Sequence, residues 1–222
     1  METPAPTADG GPSFDPVAAA YDILSDPGKR LARESAFLRG LAGEGRVLDL
    51  ACATGVHARD LAEAGAAVTA CDLSPAMIEV AQAKRAHARV RYRVSDMREP
   101  PPGPFDLVLC IGNSLNMLPA PADVRQTLRA ARSVLAPEGR LLLHLINPEA
   151  PAHEAAKVTC KRGSIDGHAV RVVKARRPDP AGRLVTVSSF VPQAGDDVPG
   201  GWEDHGAGRV RLGTQRHGHR AR

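Results

Sequence analysis

The stretch 46–72 constrains the fold more strongly than any other part of the sequence. It contains two short apolar runs, 46–50 and 66–71, with a helical segment at 57–64 between them. Small residues follow the first run, and an acid, Asp72, follows the second. This order of strand, tight loop, helix and strand predicts one βαβ unit with a ligand site at the carboxyl ends of its strands.

The loop and the acids around it indicate the class of ligand. Small side chains at 51–55 allow the backbone to approach a bulky molecule closely, and Asp72 can accept hydrogen bonds from both hydroxyls of a ribose. The G-x-G-x-x-G pattern of pyrophosphate sites is missing, with only Gly55 in place. Asp49 would repel a pyrophosphate but suits an ammonium or sulfonium group. The pattern therefore predicts a nucleoside ligand that carries a positive charge.

Two segments carry a family resemblance: VLDLACATG at 47–55 and VTACDLSPAMIEVAQ at 68–82. They resemble the motif region of the class I S-adenosylmethionine-dependent methyltransferases. That family's loop usually has two or three glycines, whereas Ala51 and Ala53 stand in two of those places here, a departure that weakens the expectation of cofactor binding without removing it. The resemblance implies an α/β fold with a Rossmann-like, doubly wound, mostly parallel sheet, and S-adenosyl-L-methionine as the cofactor.

The resemblance also implies roles for individual residues. Ala51 and Gly55 would lie against the amino-acid part of the cofactor, and Asp72 would hold its ribose. Asp96, after the third expected strand, would accept a hydrogen bond from the adenine amino group, since a carboxylate only accepts. Its neighbour Met97 would pack on the adenine ring.

Helices on both sides of this unit supply further candidates. Ser74 is typical of a helix N-cap, and Met77 on that helix either touches the adenine or packs in the core. The segment 14–42 has a helical pattern, and its closest likeness is to the glycine N-methyltransferase-like branch of the family. There an arginine pairs with the cofactor's carboxylate, a role that falls on Arg30, with a surface helix arginine as the alternative. Tyr21 is expected to close over the bound ligand.

The segment after the fourth strand is the second informative region. Residues 105–111 form a continuous apolar run, as expected of a central parallel strand covered on both faces. The following C-I-G-N-S resembles the glycine N-methyltransferase-like proteins, which implies backbone at Ile111 along the cofactor and Asn113 and Asn116 facing the methyl acceptor. The alternative is an Asn-Ser turn that caps the next element.

A fifth strand is expected at 140–146, after a helix at 123–135 that Pro137-Glu138-Gly139 would end. His144 within it is interpreted as a structural histidine rather than a general base. Relatives specific for glycine place an arginine at the strand exit to hold the acceptor's carboxylate. Ile146 stands at the matching position, which argues against glycine as the substrate.

The chain of 222 residues suits one domain with a substantial core. We expect a disordered N-terminus at 1–13, a methyltransferase domain at 14–191 and an irregular or disordered tail at 192–222, so that the sheet's final strands would be missing. Three segments with alternating polarity predict an antiparallel C-terminal extension: 156–160, 169–175 and 183–191.

Composition narrows the partners. The four cysteines lack C-x-x-C spacing and are interpreted as buried apolar residues, so no metal site or disulfide is expected: Cys52, Cys71, Cys110 and Cys160. No run of 18 apolar residues and no signal peptide are evident, which predicts a cytoplasmic protein without a membrane partner. Residues 151–222 carry 13 basic and 7 acidic side chains, which suits a solvated tail or an anionic partner. Aromatic residues make up only 3%, which disfavours nucleic acid and leaves a small-molecule acceptor.

Two alternatives remain open at this point. A nicotinamide-dependent oxidoreductase would share the βαβ unit and the acid at its end, but it requires the missing glycine-rich loop. A degenerate, non-catalytic protein with the methyltransferase fold would explain the alanines of the loop and the missing strands. Direct methyl transfer depends on alignment rather than on a particular base, so the sequence assigns no catalytic residue.

Overall fold

The computed structural model describes residues 14–145, 157–165, 168–178, 184–192, 203–204 and 209–217. The chain divides into two compact units. Residues 26–146 form one unit, and residues 1–25 and 147–222 form the other. The prediction for 1–13 and the residue Ile146 lie outside the described residues.

A parallel sheet of five described strands organises the unit 26–146. Its strands are β1 (Arg46–Leu50), β2 (Ala67–Asp72), β3 (Val90–Val94), β4 (Phe105–Cys110) and β5 (Leu135–Leu143). The described α-helices are α1 (Tyr21–Ser25), α2 (Pro27–Ala42), α3 (Val56–Glu63), α4 (Pro75–Arg85) and α5 (Pro121–Ser133), of which α1 belongs to the other unit. The strand order is β3-β2-β1-β4-β5, so the connections reverse direction between β1 and β4. Ligands of open parallel sheets bind at this point, beyond the carboxyl ends of the strands. The predicted doubly wound parallel sheet is confirmed.

The two central strands are buried on both faces. Alternate residues of β1 and β4 enter two different apolar clusters. Val47 and Leu107 belong to the cluster that includes α2 and α3, whereas Leu48 and Val108 belong to the cluster that includes α5. This double burial explains why both strands are nearly continuous apolar runs in the sequence.

Local signals place the helix that follows β2. The Ser74 hydroxyl accepts a hydrogen bond from the Met77 N–H at 3.1 Å, and Pro75 stands at the first turn of α4. The predicted N-cap is therefore confirmed. Capping of this kind satisfies a backbone donor that the helix itself leaves without a partner.

The predicted boundary between the last helix and the last strand of this unit is wrong. Helix α5 ends at Ser133, and β5 begins at Leu135, before the Pro137-Glu138-Gly139 segment rather than after it. Pairing with β4 shifts register inside this segment, because Phe105 lies opposite Leu135 but Leu107 lies opposite Arg140. The strand thus accommodates the extra residues as an irregularity of the ladder instead of ending at them.

The second unit contains an antiparallel sheet. A 3₁₀ segment, Asp15–Ala20, leads into α1, and the sheet has the order β6-β7-β8-β10-β9. The strands are β6 (Lys157–Ile165), β7 (His168–Pro178), β8 (Leu184–Pro192), β9 (Glu203–Asp204) and β10 (Arg209–His217). The predicted antiparallel extension is confirmed. No described helix in either unit combines the length and apolar character needed to cross a membrane.

Strand β10 corrects the expectation of an irregular tail. It lies within 192–222, where we expected no regular structure, and pairs with β8 over seven residues. Val210, Leu212 and Thr214 alternate with polar neighbours, which is the period of a strand. The high charge of the segment obscured this period, and pairing with a neighbouring strand supplies what local propensity lacks.

Three of the four cysteines are buried, as predicted, and Cys160 is exposed. Cys160 lies on β6, where Arg162 and Ser164 are also exposed while Ile165 is buried. Successive side chains of a strand point to opposite faces of the sheet, so Cys160, Arg162 and Ser164 share one face of β6. That face is exposed, which explains why Cys160 is exposed while the other three cysteines are buried.

Candidate functional site

The loop after β1 has the backbone of a glycine-rich turn even though two of its residues are alanines. Ala51, Ala53 and Gly55 have positive φ angles of 56°, 50° and 77°. This left-handed conformation costs an alanine roughly 1–2 kcal/mol. The turn is nevertheless closed, because the Cys52 N–H donates to the Cys71 carbonyl at 2.9 Å. Alanine at these positions therefore raises the conformational free energy of the loop but does not change the course of its backbone.

Gly55 meets a second constraint. A Cβ atom at this position would lie 2.6 Å from the hydroxyl oxygen of Tyr92, closer than atoms can approach. The Tyr92 hydroxyl itself donates to the Arg85 carbonyl at 3.0 Å, and the Arg85 guanidinium donates to the Thr54 carbonyl at 2.9 Å. Tyr92 and Arg85 thus support the loop from β3 and α4, an interaction that the sequence analysis did not identify.

Asp72 lies at the tip of β2 and is held by the backbone. Its side chain is buried, with Oδ2 accepting the Ala53 N–H at 2.8 Å and Oδ1 accepting the Ser74 N–H at 3.0 Å. Each carboxylate oxygen can accept two hydrogen bonds. The acid predicted to hold a ribose is therefore fixed in orientation by the loop and by the start of α4.

Asp49 has a different environment. It is 1% exposed, and its Oδ2 has no hydrogen-bond partner among the described residues. Burial raises the pKa of Asp49 to about 7; the charge of Arg30 opposes this rise and that of Asp72 adds to it. A buried carboxyl oxygen without a partner is costly, so this position favours a ligand that brings a donor or a positive charge.

Arg30 lies on α2 and belongs to the same site. Its side chain is only 17% exposed, which argues against the alternative of a surface helix arginine. The guanidinium forms no hydrogen bond within the described part of the chain, and its nearest carboxylate is that of Glu34, with Nε and Oε2 3.9 Å apart. A Cβ atom on Gly112 would lie 3.4 Å from Nη2, so Arg30 lies against the loop that follows β4. Unused donors in a sheltered guanidinium are suited to binding an anion.

A buried histidine, His57, and a half-buried acid, Glu34, form a pair beside Arg30 that no sequence motif indicated. His57, in the first turn of α3, is 4% exposed, and its Nε2 lies 2.9 Å from Oε2 of Glu34. Burial, followed by the charge of Arg30, lowers the pKa of His57 to about 4. Burial alone would raise the pKa of Glu34, but the hydrogen bond from Arg33 and the charges of Arg30 and His57 outweigh it, and the pKa is lowered. The spacing of Arg30 and Glu34, four residues apart on one helix, was the available signal.

Asp96 has a partner that the sequence did not reveal. Its carboxylate accepts the Arg98 N–H at 2.8 Å and the Arg98 Nη2 at 2.6 Å, while Nη1 of the same guanidinium donates to Asp123 at 3.1 Å. Burial acts to raise the pKa of Asp96, and the hydrogen bonds from Arg98 outweigh it, so the pKa is lowered. Asp96 is therefore ionised and able only to accept, as contact with an adenine amino group requires, but Arg98 already occupies part of its capacity. Its role at the adenine stays a prediction.

The two methionines and Tyr21 differ in position. Met77 is 1% exposed, which favours the alternative of core packing over contact with a ligand. Met97 packs against the apolar cluster that includes α5. Tyr21 belongs to the other unit, where its ring meets that of Phe14 edge to face at 6.3 Å, and its role as a closing residue stays a prediction.

The loop after β4 is a turn whose side chains bond to each other. Asn113 has φ of 75° and is 3% exposed, and the Asn116 side-chain nitrogen donates to Asn113 Oδ1 at 2.7 Å. The Asn113 N–H donates to the carbonyl of His144 at 3.1 Å. His144 follows β5 instead of lying within it and is exposed. Ile111 is buried just before the turn. The turn of the alternative is present, but the Asn113 side chain does not cap the following 3₁₀ segment. Contact of Asn113 and Asn116 with an acceptor stays a prediction.

Part of this site lies in a segment that resembles a known protein family. Residues 47–139 match the family described as a methyltransferase domain. Over 123 residues the chain is 37% identical to a ubiquinone biosynthesis O-methyltransferase of Xanthomonas euvesicatoria pv. vesicatoria (strain 85-10), a match that covers 53% of this chain and 49% of that protein. The chain spans less than half the length of the curated relatives it matches first.

Solved structures share the fold over most of the chain. The sugar N-methyltransferase KedS8 from Streptoalloteichus sp. ATCC 53650 superposes with a TM-score of 0.70 at 20% identity, covering 99% of this chain and 83% of that one. The aminopentose methyltransferase CalS10 from Micromonospora echinaspora gives 0.66 at 23% identity, covering 99% and 86%. At these identities the likeness establishes the Rossmann-like architecture. Residues 47–139 therefore resemble a methyltransferase domain in sequence, and the chain shares the Rossmann-like fold of solved methyltransferases over most of its length.

Proposed function

We propose that this chain is an enzyme that transfers a methyl group from S-adenosylmethionine to a nitrogen or oxygen atom of a small-molecule acceptor. The observation that carries the proposal is the pair of Arg30 and Asp49. One is a sheltered guanidinium without a hydrogen bond in the described chain, and the other is a buried carboxyl with an unpartnered oxygen. A guanidinium and a buried carboxyl oxygen that do not satisfy each other suit a zwitterionic ligand, whose positive group would favour the ionised form of the carboxyl.

The remaining residues fit the same cofactor. Arg30 would hold its carboxylate, and Asp49 would favour its positive groups. Asp72 would accept hydrogen bonds from the ribose hydroxyls, in an orientation that two backbone N–H groups already fix. Asp96 and Met97 would receive the adenine. Backbone at Ala51, Gly55 and Ile111 would border the amino-acid part without side chains in the way.

When bound, S-adenosylmethionine supplies an electrophilic methyl group on a sulfonium sulfur. The chain's own contribution is then alignment and exclusion of water. Asn113 is well placed for the first task because it lies at the carboxyl end of β4 with a fixed backbone and a side chain held by Asn116. We assign the acceptor contact to Asn113 and Asn116 and place no catalytic base, since a neutral amine acceptor needs none.

Membership of the glycine N-methyltransferase-like branch is the finer part of the proposal. It is supported by the position of Arg30 against Gly112, which brings α2 to the loop after β4. The named relatives are, by name, an O-methyltransferase of ubiquinone biosynthesis and a sugar N-methyltransferase, so we choose aminosugars and phenols as the first acceptors to test here.

The test is calorimetric titration of S-adenosylhomocysteine into the wild type and Arg30→Met. We expect micromolar binding by the wild type and a loss of about tenfold or more in the variant, because a bidentate charge-assisted contact is removed. Thermal-shift measurements with NADH serve as the control for an oxidoreductase. Stabilisation by NADH but not by S-adenosylhomocysteine would contradict the proposal.

Turnover is then measured by mass spectrometry across a panel of aminosugars and phenols. Methylated product in any reaction establishes the enzyme. Cofactor binding without product across the panel would favour the non-catalytic alternative, for which the strained alanines at positions 51 and 53 are the structural argument.

A further inference from the structure

Arg30 is close enough to two carboxylates, those of Glu34 and Asp49, to interact with both electrostatically. Glu34, four residues along α2, is 3.9 Å from its Nε and holds it loosely. Asp49 in β1 interacts with it electrostatically and has an oxygen without a partner. A guanidinium that moved to Asp49 would gain a charge-assisted hydrogen bond and satisfy that oxygen. The two charges would then neutralise each other, and neither would be available to a ligand.

Glu34 is itself held in place from two sides. Its Oε2 lies 2.9 Å from Nε2 of His57 on α3, and its Oε1 accepts a hydrogen bond from the Arg33 guanidinium at 2.8 Å. His57 is 4% exposed, so its ring cannot rotate freely into solvent. Glu34 is thus a fixed negative charge beside a guanidinium that has no other anchor in the described chain.

We infer that Glu34, fixed by His57, is a positioning residue that keeps the Arg30 guanidinium away from Asp49 and available to the carboxylate of a bound ligand. This inference rests on the proposed function. It assigns a purpose to a buried histidine that would otherwise only join two helices. It also accounts for the weak contact between Arg30 and Glu34, since a tight ion pair would withhold Arg30 from the ligand.

A second contact between the same helices separates positioning from simple attachment. Asp60 on α3 accepts a hydrogen bond from Ser35 at 2.7 Å and from Nε of Arg39 at 3.1 Å. This contact holds α2 to α3 without touching Arg30 or Glu34. Loss of Glu34 therefore leaves the helices joined, and loss of Arg39 provides a matched control.

The experiment compares two probes that share a nucleoside. S-adenosylhomocysteine carries the amino-acid group, whereas 5′-methylthioadenosine lacks its carboxylate and ammonium. Both are titrated into the wild type, Glu34→Gln, His57→Gln, Arg39→Gln and Arg30→Met. We expect Glu34→Gln to weaken S-adenosylhomocysteine about tenfold and methylthioadenosine less than about twofold. His57→Gln should act in the same direction with a smaller effect, and Arg39→Gln should lower the melting temperature while leaving the ratio of the two affinities unchanged.

The outcomes are distinguishable. An unchanged ratio in Glu34→Gln, with a lowered ratio in Arg30→Met, would overturn this inference and leave the proposed function intact. Wild type that binds neither probe would contradict the proposed function itself, and this inference with it. A further loss on combining Glu34→Gln with Arg30→Met would also overturn the inference, because Glu34 is argued to act only through Arg30. If Glu34→Gln shows no cooperative melt, Glu34→Asp replaces it with the same expected loss, since its shorter side chain cannot reach both partners.

Discussion

The strands β1 and β2 each carry an aspartate near the same edge of the sheet, yet the two carboxyl groups differ in their hydrogen bonding. Asp72 at the end of β2 accepts two backbone N–H groups and is held in one orientation. Asp49 in β1 is buried with an unpartnered oxygen and a pKa of about 7. One acid is prepared to accept hydrogen bonds from neutral hydroxyls, and the other is poised to respond to a positive charge. Under the proposed function, these two aspartates on neighbouring strands would recognise different parts of one ligand.

The largest expected effect is the pH dependence that Asp49 gives to stability. An aspartate ordinarily has a pKa of 3.8, whereas the pKa of Asp49 in the folded chain is about 7, so the folded state keeps a proton that the unfolded state has released. The resulting loss in the free energy of unfolding is absent below pH 3.8, grows as pH rises, and is complete above pH 7. A shift of about three units corresponds to roughly 4 kcal/mol. Asp49→Asn should remove this loss.

Urea denaturation of the wild type and Asp49→Asn from about pH 4 to about pH 8, a range that spans the titration of Asp49, measures the difference. The free energy of unfolding of Asp49→Asn relative to wild type should rise across this range. A constant difference between the two proteins would show that Asp49 is not buried as a neutral carboxyl.

The second effect concerns Asp72. Asp72→Ala removes the proposed acceptor of the ribose hydroxyls and the observed acceptor of the Ala53 N–H, so affinity for S-adenosylhomocysteine should fall by about 100-fold. Asp72→Asn retains one oxygen and should lose less. Calorimetry on both variants tests this ranking, and equal losses would indicate that the charge rather than the acceptor geometry matters. Neither variant should reproduce the pH dependence that Asp49 produces.

The smallest expected effect is on stability, and it concerns the loop that follows Asp49 and donates a hydrogen bond to Asp72. Ala53→Gly relieves left-handed strain of roughly 1–2 kcal/mol but adds freedom to the unfolded chain worth about 0.5–1 kcal/mol. We expect a net stabilisation of about 0.5–1 kcal/mol. Ala32→Gly, at an exposed position in the interior of α2, is the matched control and should destabilise by about 1 kcal/mol. Urea denaturation measures the free energy of unfolding of both variants. A destabilised Ala53→Gly would show that the loop carries no such strain.

Much of the fold was predictable because the central elements follow simple periods. The β1–α3–β2 unit and the apolar run of β4 were evident from the hydrophobic pattern. Ser74 correctly predicted the start of the helix that it caps. Strand β10 was missed because its pairing with β8 is non-local, and the start of β5 was missed because a proline and a glycine lie inside an irregular part of that strand.

The candidate site was predictable only in part, for a related reason. Asp49, Asp72 and Arg30 are recognisable from position along the chain, since strand ends and the family's motifs mark them. The contacts of His57 with Glu34 and of Asp96 with Arg98 depend on side-chain directions in three dimensions. Sequence spacing alone gives the elements that carry such residues but not which groups meet.

The Tyr92 ring beneath Gly55 has a consequence for how this loop can change over time. Positions 51 and 53 carry alanine at a conformational cost alone, so each can change to glycine independently. Position 55 is coupled to a side chain on another strand, because even a methyl group there would overlap the Tyr92 hydroxyl. Any replacement of this glycine must wait for a smaller residue at 92, and that change would first withdraw the hydrogen bond to Arg85. Within this five-residue turn, substitution at positions 51 and 53 is therefore independent of other residues, whereas substitution at position 55 depends on the residue at position 92.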